Sequence, residues 1–545
     1  MMKIRKKHFI LFLILLIGVI LRAIKFGDIV VGTDVAAFSR LGKNFIESGR
    51  YAFGENYNMG VFFPPGYPLF IGITNLFAHD LFFSARLVSF ISSLITIPVF
   101  YLLGRELYNE EAGLFAAFAY AVYPLSIILG IYGNSDALFF CFFFLAIYVF
   151  LMSLKKDRLF YYLLLGILTG IATITRPEGM FMFILPFLHL LGLVGKKPSS
   201  VKKHLVKIAV MLSVFIMIIS PYMFFVKNYT GKFALSGKNN IAVLLAELSH
   251  GKEYHEIVNA PMNLYDEAAF SLTGDKRQLT GWNRNVQRSL LRDYILKDPL
   301  KFIHGYMDKV MQQIKTMFKL FLPFVIPLMF LVSDRDLFKR RTGLIFVLFP
   351  VIYFFMYPFF IIIERQTFFI VLFPLILSSI GFVDSRPAIA CLSGFFSIEK
   401  SRIVSLLGKN IKHIIIIIFV ISSLTYLEFS SFDKVPDPVE HARAGRFIKN
   451  KVSTEYEKIN VMSAKPIVSF YSDARFTMLP YAKGRDVVEF AKLYDVDFIV
   501  VDERLLSQWD FYDELVHLDR HSDVVHLAYE DKTDKIIKLF RVKRR

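Results

Sequence analysis

Asp34, Arg86, Asp136, Arg176, Glu178, Glu364 and Arg365 all stand at the ends of long apolar runs. An ionisable side chain is costly there unless it faces a partner or a wet cavity, so each is a candidate for chemistry. Carboxylates suit the deprotonation of an alcohol, and guanidinium groups stay charged and bind phosphate oxygens in pairs. Asp34 follows Ile29-Val30-Val31-Gly32-Thr33 just beyond the first apolar run, within reach of a lipid headgroup and an incoming hydroxyl. Its alternative is a helix N-cap, a place Asp fills well. Asp136, in Gly133-Asn134-Ser135-Asp136, has the same alternative, and its functional reading is a second carboxylate for a metal or for acceptor binding. A divalent cation is the one cofactor this leaves open, with no metal identified. Arg86, Arg176 and Arg365 suit an anionic phosphate, against the alternative of arginines snorkelling at an interface, and three on one membrane face favour phosphate. Glu178 and Glu364 lie beside two of these arginines as supporting groups. His250, His255 and His304 show no metal-ligand spacing.

The elements that must carry these residues are membrane helices. Hydrophobic runs predict about eleven spans of roughly 17 to 25 residues, the length needed to cross the hydrocarbon core. They fall near 8–25, 82–103, 112–131, 135–152, 159–175, 177–194, 204–226, 312–332, 342–362, 366–383 and 411–428. With a cytoplasmic N-terminus, alternate connections are basic: Lys3, Arg5, Lys6 and Lys7, then Arg105, then Lys155, Lys156 and Arg158, then Lys196 to Lys203, then Arg335 to Arg341, then Arg386 to Lys412. That pattern is positive-inside. It places the candidates above, with Glu55, on the outer face, where they are expected to line one polar chamber.

The 545 residues are 55% hydrophobic, with 59 Phe, which excludes an ordinary soluble protein. A net charge of +18 raises the question of nucleic acid. The Lys and Arg are spread over cytoplasmic loops without an aromatic-basic recognition module, so they read as topology determinants beside anionic lipid and no nucleic acid partner is expected. Cys141, in a span, and Cys391, in an inward loop, form no disulfide framework. Residues 8–25 lack a small-residue cleavage site and read as a retained span.

Residues 1–428 form the expected membrane domain, interrupted by outer loops at 26–81 and 227–311. The first loop predicts a helix from Asp34 to Glu47, with Thr33 or Asp34 as N-cap and Gly49 after its end. It then holds Phe62-Phe63-Pro64-Pro65-Gly66-Tyr67-Pro68, which cannot be a regular helix through the prolines. The second predicts amphipathic surface helices around 284–296 and 299–315. Pro436 and Pro438 mark a linker into residues 429–545, read as a soluble extracytoplasmic α/β domain. Its pattern predicts a helix at 439–451, strands at 459–464 and 467–471, a helix at 486–495, a strand at 498–502, and a closing pair near 523–529 and 535–542. The fold class is thus a polytopic α-helical membrane protein with a C-terminal extracytoplasmic α/β domain.

Several motifs resemble the GT-C superfamily of polyprenyl-phosphate-sugar-dependent glycosyltransferases, in its protein mannosyltransferase and aminoarabinose transferase-like branch. They are Gly32-Thr33-Asp34, Pro64-Pro65-Gly66-Tyr67-Pro68-Leu69, Ala85-Arg86-Leu87-Val88-Ser89, Tyr101 through Tyr108, Ala112-Gly113-Leu114, Tyr123-Pro124, Ser135-Asp136-Ala137-Leu138, Thr175-Arg176-Pro177-Glu178-Gly179, and Glu364-Arg365 with Pro374. The resemblance implies a sugar donated by a polyprenyl phosphate without a nucleotide. It further implies that Asp34 is the first-loop catalytic aspartate, taking the acceptor's proton for inverting attack at the anomeric carbon. Arg86, Arg176 or Arg365 would then stabilise the leaving phosphate, Asp136 would be the second acidic position, and the loop of Pro64, Pro65 and Tyr67 would help to hold the lipid. Val35, Phe63 and Gln366 depart from the pattern of relatives.

The expected activity is transfer of a sugar to a hydroxyl of an envelope glycan, lipid or protein, in a plasma membrane. A multispan transporter is the rival, which would place broken helices and ionisable groups near the midplane. A non-enzymatic scaffold displaying the α/β tail is the other.

Overall fold

A proline inside an apolar run removes a backbone donor and can kink or break the helix. Pro124 does so here: the run expected as one span over 112–131 forms two helices, Glu110–Val122 and Pro124–Ile131, bent by 59°. The computed structural model describes residues 2–27, 30–56, 58–191, 198–237, 298–321, 341–359, 362–383, 438–451, 459–520 and 523–543, with isolated positions between 267 and 296 and between 416 and 421. The spans expected at 411–428 and in the second half of 312–332, and the surface helix at 284–296, lie outside the described residues apart from those isolated positions.

In chain order the helices of the N-terminal part are α1 (Met2–Ile24), α2 (Thr33–Ser48), α3 (Gly66–Ala78), α4 (Leu81–Leu107), α5 (Glu110–Val122), α6 (Pro124–Ile131), α7 (Asp136–Lys156) and α8 (Leu159–Thr175). A 3₁₀ stretch, Pro177–Phe183, leads into α9 (Ile184–Leu191), followed by α10 (Pro198–Thr230), α11 (Pro299–Phe321), α12 (Arg341–Met356) and α13 (Glu364–Val383). Among the described residues four helices are long and apolar enough to cross a membrane, and the bent α5–α6 pair makes a fifth. The protein is therefore an integral membrane protein.

The chain divides into two compact units. The first comprises Met1–Gly27, Arg86–Pro221 and Lys309–Val435; the second comprises Asp28–Ala85, Tyr222–Asp308 and Pro436–Arg545. An aromatic layer holds the first unit together. The Phe369 ring of α13 lies 5.5 Å from Phe140 and 5.1 Å from Phe143, both on α7, and 4.8 Å from Tyr353 on α12. At another height Phe382 stacks on Phe115 at 4.0 Å. Such pairs add about 0.5–1.5 kcal/mol each beyond their burial, which matters where the lipid itself is apolar.

In the second unit α2 and α3 cross at Gly42 and Gly72. A Cβ on Gly42 would lie 2.2 Å from the Pro68 carbonyl, and one on Gly72 would lie 2.5 Å from the Gly42 carbonyl. Gly49 ends α2 in the left-handed region at φ 68°. Helix α3 was not expected, because the prolines read as breakers. Pro65 instead takes the N-cap position and Pro68 falls in the first turn, where its missing N–H costs nothing.

The C-terminal part of this unit carries α14 (Val439–Lys451), β1 (Asn460–Ser463), α15 (Ile467–Ser472), β2 (Arg475–Met478), α16 (Gly484–Leu493), β3 (Phe498–Asp502), β4 (Val525–Asp531) and β5 (Ile537–Val542). Strand order is β2-β1-β3-β5-β4, with β1 parallel to β2 and β3, and β5 antiparallel to β3 and β4. The strand expected at 467–471 is instead the helix α15. Parallel neighbours need a crossover between them, and Pro466 at the N-cap starts a helical one. Val461, Phe498, Val500, Ile448 and Leu539 form the core between sheet and helices.

Candidate functional site

Asp136 opens α7 with its side chain 1% exposed, and it meets two arginines. Arg176, in the turn after α8, hydrogen-bonds its Oδ1, and Nη1 of Arg365, in the first turn of α13, lies 3.7 Å from its Oδ2. Arg176 also donates to Glu178 Oε1 at 3.0 Å. The Tyr353 hydroxyl donates to the Glu178 backbone carbonyl at 2.8 Å, tying the turn to the aromatic layer. Three separate helices thus bring Asp136, Arg176, Glu178 and Arg365 into one cluster, in which both carboxyl oxygens of Asp136 face guanidinium groups. Glu364, beside it, pairs with Lys319 of α11.

Two cations around one buried carboxylate repel a third. The arrangement does not fit a divalent ion at Asp136, and among the described residues no group of three His, Cys, Asp or Glu stands together to hold one. Arg86 lies elsewhere in the same unit. Its Nε donates to the Ile131 carbonyl at 2.9 Å and its guanidinium lies 3.6 Å over the Phe26 ring. One turn on, the Ser89 hydroxyl donates to the Asn134 carbonyl at 2.8 Å. Helix α4 therefore grips the segment leading into Asp136.

Asp34, Pro64, Pro65 and Tyr67 belong to the other unit. The N-cap of α2 is Gly32, not Thr33 or Asp34, and Asp34 stands in the first turn, partly exposed. A carboxylate there is stabilised by the helix dipole. Phe38, one turn further along, packs edge-on between Phe63 at 4.7 Å and Tyr67 at 5.3 Å. The Tyr67 hydroxyl, fully buried, donates to the Ala85 carbonyl at 2.7 Å. The Pro-Pro-Gly-Tyr segment therefore braces the Asp34 helix from one side.

Residues 63–224 match the family described as dolichyl-phosphate-mannose-protein mannosyltransferase. No curated protein matches the sequence. Among solved structures the chain resembles the archaeal oligosaccharyltransferase AglB from Archaeoglobus fulgidus, in complex with an inhibitory peptide and a dolichol-phosphate. The TM-score is 0.60 at 14% identity, over 98% of this chain and 74% of that one. It also resembles ArnT from Cupriavidus metallidurans in the apo state, with a TM-score of 0.57 at 13% identity and 97% of each chain covered.

The chain has the GT-C glycosyltransferase fold. The resemblance seen in its motifs is borne out at that level. Within this GT-C fold, sequence reading missed Arg22. It is fully buried at the end of α1, donating to the carbonyls of Gly18 at 3.1 Å and Ala121 at 3.0 Å and to the hydroxyls of Ser93 at 2.9 Å and Ser126 at 3.2 Å. Gly130 leaves room for it, since a Cβ there would lie 3.1 Å from Arg22 Nε. The available signal was a cation near the end of an apolar run.

The GT-C chain holds a further buried charged cluster in its C-terminal domain. Nδ1 of His441 lies 3.2 Å from Glu440, its Nε2 lies 3.5 Å from Asp502, and Arg504 donates to both Glu440 oxygens at 2.6 and 3.1 Å. Burial alone would raise Glu440, but hydrogen bonds from His441 and Arg504 bring it down to about 2. Burial alone would lower His441, but Asp502 and Glu440 push it up to about 9. Glu440, His441 and Asp502 are closed off from solvent and read as a structural lock joining α14 to β3.

Proposed function

We propose that this protein transfers a sugar from a polyprenyl phosphate to a hydroxyl acceptor on an envelope glycan, lipid or protein, at the outer face of a plasma membrane. The observation that carries the reading is the buried Asp136 holding Arg176 and Arg365 at helix ends, within a GT-C fold. One relative with a solved structure supports lipid-linked chemistry: AglB is an oligosaccharyltransferase and was solved with a dolichol-phosphate.

In this reading Asp34 takes the proton of the acceptor hydroxyl as its oxygen attacks the anomeric carbon from the face opposite the phosphate. The new glycosidic bond forms as the bond from the anomeric carbon to the phosphate oxygen breaks. The electron pair leaves with the polyprenyl phosphate, and the configuration inverts. Arg365, partly exposed, meets the phosphate; Arg176 adds charge, and Asp136 holds both guanidinium planes in place. Arg86 shapes the segment before Asp136. The N-terminus is cytoplasmic, and the candidate site and the C-terminal domain are extracytoplasmic.

The test is transfer by the full-length protein in membranes, supplied with a panel of radiolabelled polyprenyl-phosphate hexoses and pentoses, wild type against Asp34→Asn. Transfer that depends on Asp34 supports the reading and names the sugar. No turnover of any donor by folded wild type, with its native membrane acceptors present, overturns it.

A further inference from the structure

The role of the C-terminal α/β domain is open in that reading, and its contacts within the second unit are specific. Arg40, in the middle of α2 and 6% exposed, sends Nη2 to the carbonyls of Ser469 and Phe470, each at 3.2 Å. Its Nη1 pairs with Asp473, the residue that ends α15 in the left-handed region at φ 60°. Those carbonyls lie in the last turn of α15, where they also accept from the Ala474 and Asp473 amides, and a cation suits the negative end of the helix. Lys43, one turn along α2, adds Nζ at 3.7 Å from the same carboxylate. Burial would raise Asp473, but Arg40 and Lys43 hold it below its ordinary value.

Contacts flank Asp34 on its other side as well. The Val31 amide donates to the Tyr471 hydroxyl at 3.0 Å, three residues before Asp34. Further along the loop, the Glu55 amide donates to the Phe476 carbonyl at 2.8 Å. The Asn56 side chain both donates to and accepts from Met478, at 3.0 Å each. These bonds satisfy backbone groups of Phe476 and Met478 on β2, the edge strand of the sheet.

We infer that the C-terminal domain is a positioning part of the active site: through Arg40 and Tyr471 it fixes the helix that presents Asp34. The inference rests on the reading of Asp34 as the acceptor's base. At about 100° per residue, Asp34 and Arg40 point to faces of α2 about 120° apart, so the anchor leaves the Asp34 face for the reaction. A base displaced by about 1 Å costs on the order of 10²-fold in rate.

Asp473→Asn tests this with little risk to the fold, because Asn keeps the shape and tolerates the left-handed conformation. Arg40→Gln and Arg40→Lys complete the set. All are compared as full-length protein by amide hydrogen exchange over Thr33–Ser48 and by transfer kinetics with the donor panel. The expected result is faster exchange at the start of α2 and a fall in kcat of about 10- to 100-fold at unchanged donor KM, with Arg40→Lys intermediate. Unchanged exchange and transfer in Asp473→Asn and Arg40→Gln would overturn the inference. So would faster exchange with full transfer, in a protein that Asp34→Asn inactivates. If wild type turns over no donor, the reading of Asp34 falls with the inference, while faster exchange would still show that the domain fixes the helix.

Discussion

Arg22 donates to the Ala121 carbonyl at 3.0 Å, and Ala121 lies three residues before the proline that breaks the span. A break in a membrane helix frees carbonyls that lipid cannot satisfy. Ser126 offers its one hydroxyl proton to this region, lying 2.5 Å from the Tyr120 carbonyl and 2.8 Å from that of Tyr123. Replacing Arg22 with Met should therefore leave a buried acceptor unpaired, at about 1–3 kcal/mol. A lowered unfolding temperature of the detergent-solubilised protein is expected, with Arg22→Lys in between because one ammonium cannot reach all four partners. Wild-type melting of Arg22→Met would show that the bend needs no clasp.

The two arginines around Asp136 should fail differently. Arg365 is 30% exposed and Arg176 is 14% exposed, with Asp136 at 1%. Removing one partner of a buried pair costs about 3–5 kcal/mol, so Arg176→Ala is expected to lower stability and yield. Arg365→Ala should instead leave the fold intact and lower transfer by on the order of 10²- to 10³-fold. Parallel melting curves and transfer assays separate the two, and equal loss of stability in both would remove Arg365 from the phosphate role.

Gly42 leaves no room for a side chain, because the nearest atom to a new Cβ is the Pro68 backbone carbonyl at 2.2 Å. Gly42→Ala must push α2 and α3 apart, at about 1–3 kcal/mol. Faster hydrogen exchange in both helices is expected, together with loss of transfer. Unaltered exchange would mean that the crossing is looser than its geometry.

The lock between α14 and β3 carries a pH dependence of defined sign. Glu440 is lowered from 4.5 to about 2, so its contribution is present above pH 4.5 and lost as pH falls towards 2. His441 is raised from 6.5 to about 9, so its contribution is complete below pH 6.5 and lost as pH rises through 9. Exchange protection of α14 should therefore be greatest between pH 4.5 and 6.5, after correction for intrinsic rates. It should decline by pH 9.5, and His441→Asn should flatten the alkaline limb. A wild-type decline that persists in His441→Asn would assign the effect to another group.

Much of this architecture was legible from periodicity alone. The limits of α14 and β3 were read to the residue, and the apolar runs located α1, α4, α7, α8 and α10, because burial imposes a period on sequence directly. What the period does not carry was missed. Ile467-Val468-Ser469-Phe470-Tyr471 has strand-like composition, yet the parallel pairing of β1 and β2 forces a crossover there. Pro68 reads as a breaker unless its place in a helix's first turn is known. At the site, Asp136, Arg176 and Arg365 were each visible as ionisable residues at helix ends. Their convergence on one carboxylate was not, because it is decided by how three helices pack. Arg22 escaped because a cation at the end of an apolar run looks like one that reaches water.

The partners of the Asp34 helix are far away along the chain: Val31 waits for Tyr471, 440 residues later, and Arg40 for Ser469, 429 residues later. Contacts that distant close late in folding, and during synthesis they cannot close until nearly the whole polypeptide has emerged. A nascent copy inserted up to its last span holds Asp34 but not the anchors that fix its helix. Completion of the chain thus acts as a clock on the presentation of that carboxylate, and a copy cut short before residue 467 would sit in the membrane with its loop unmoored.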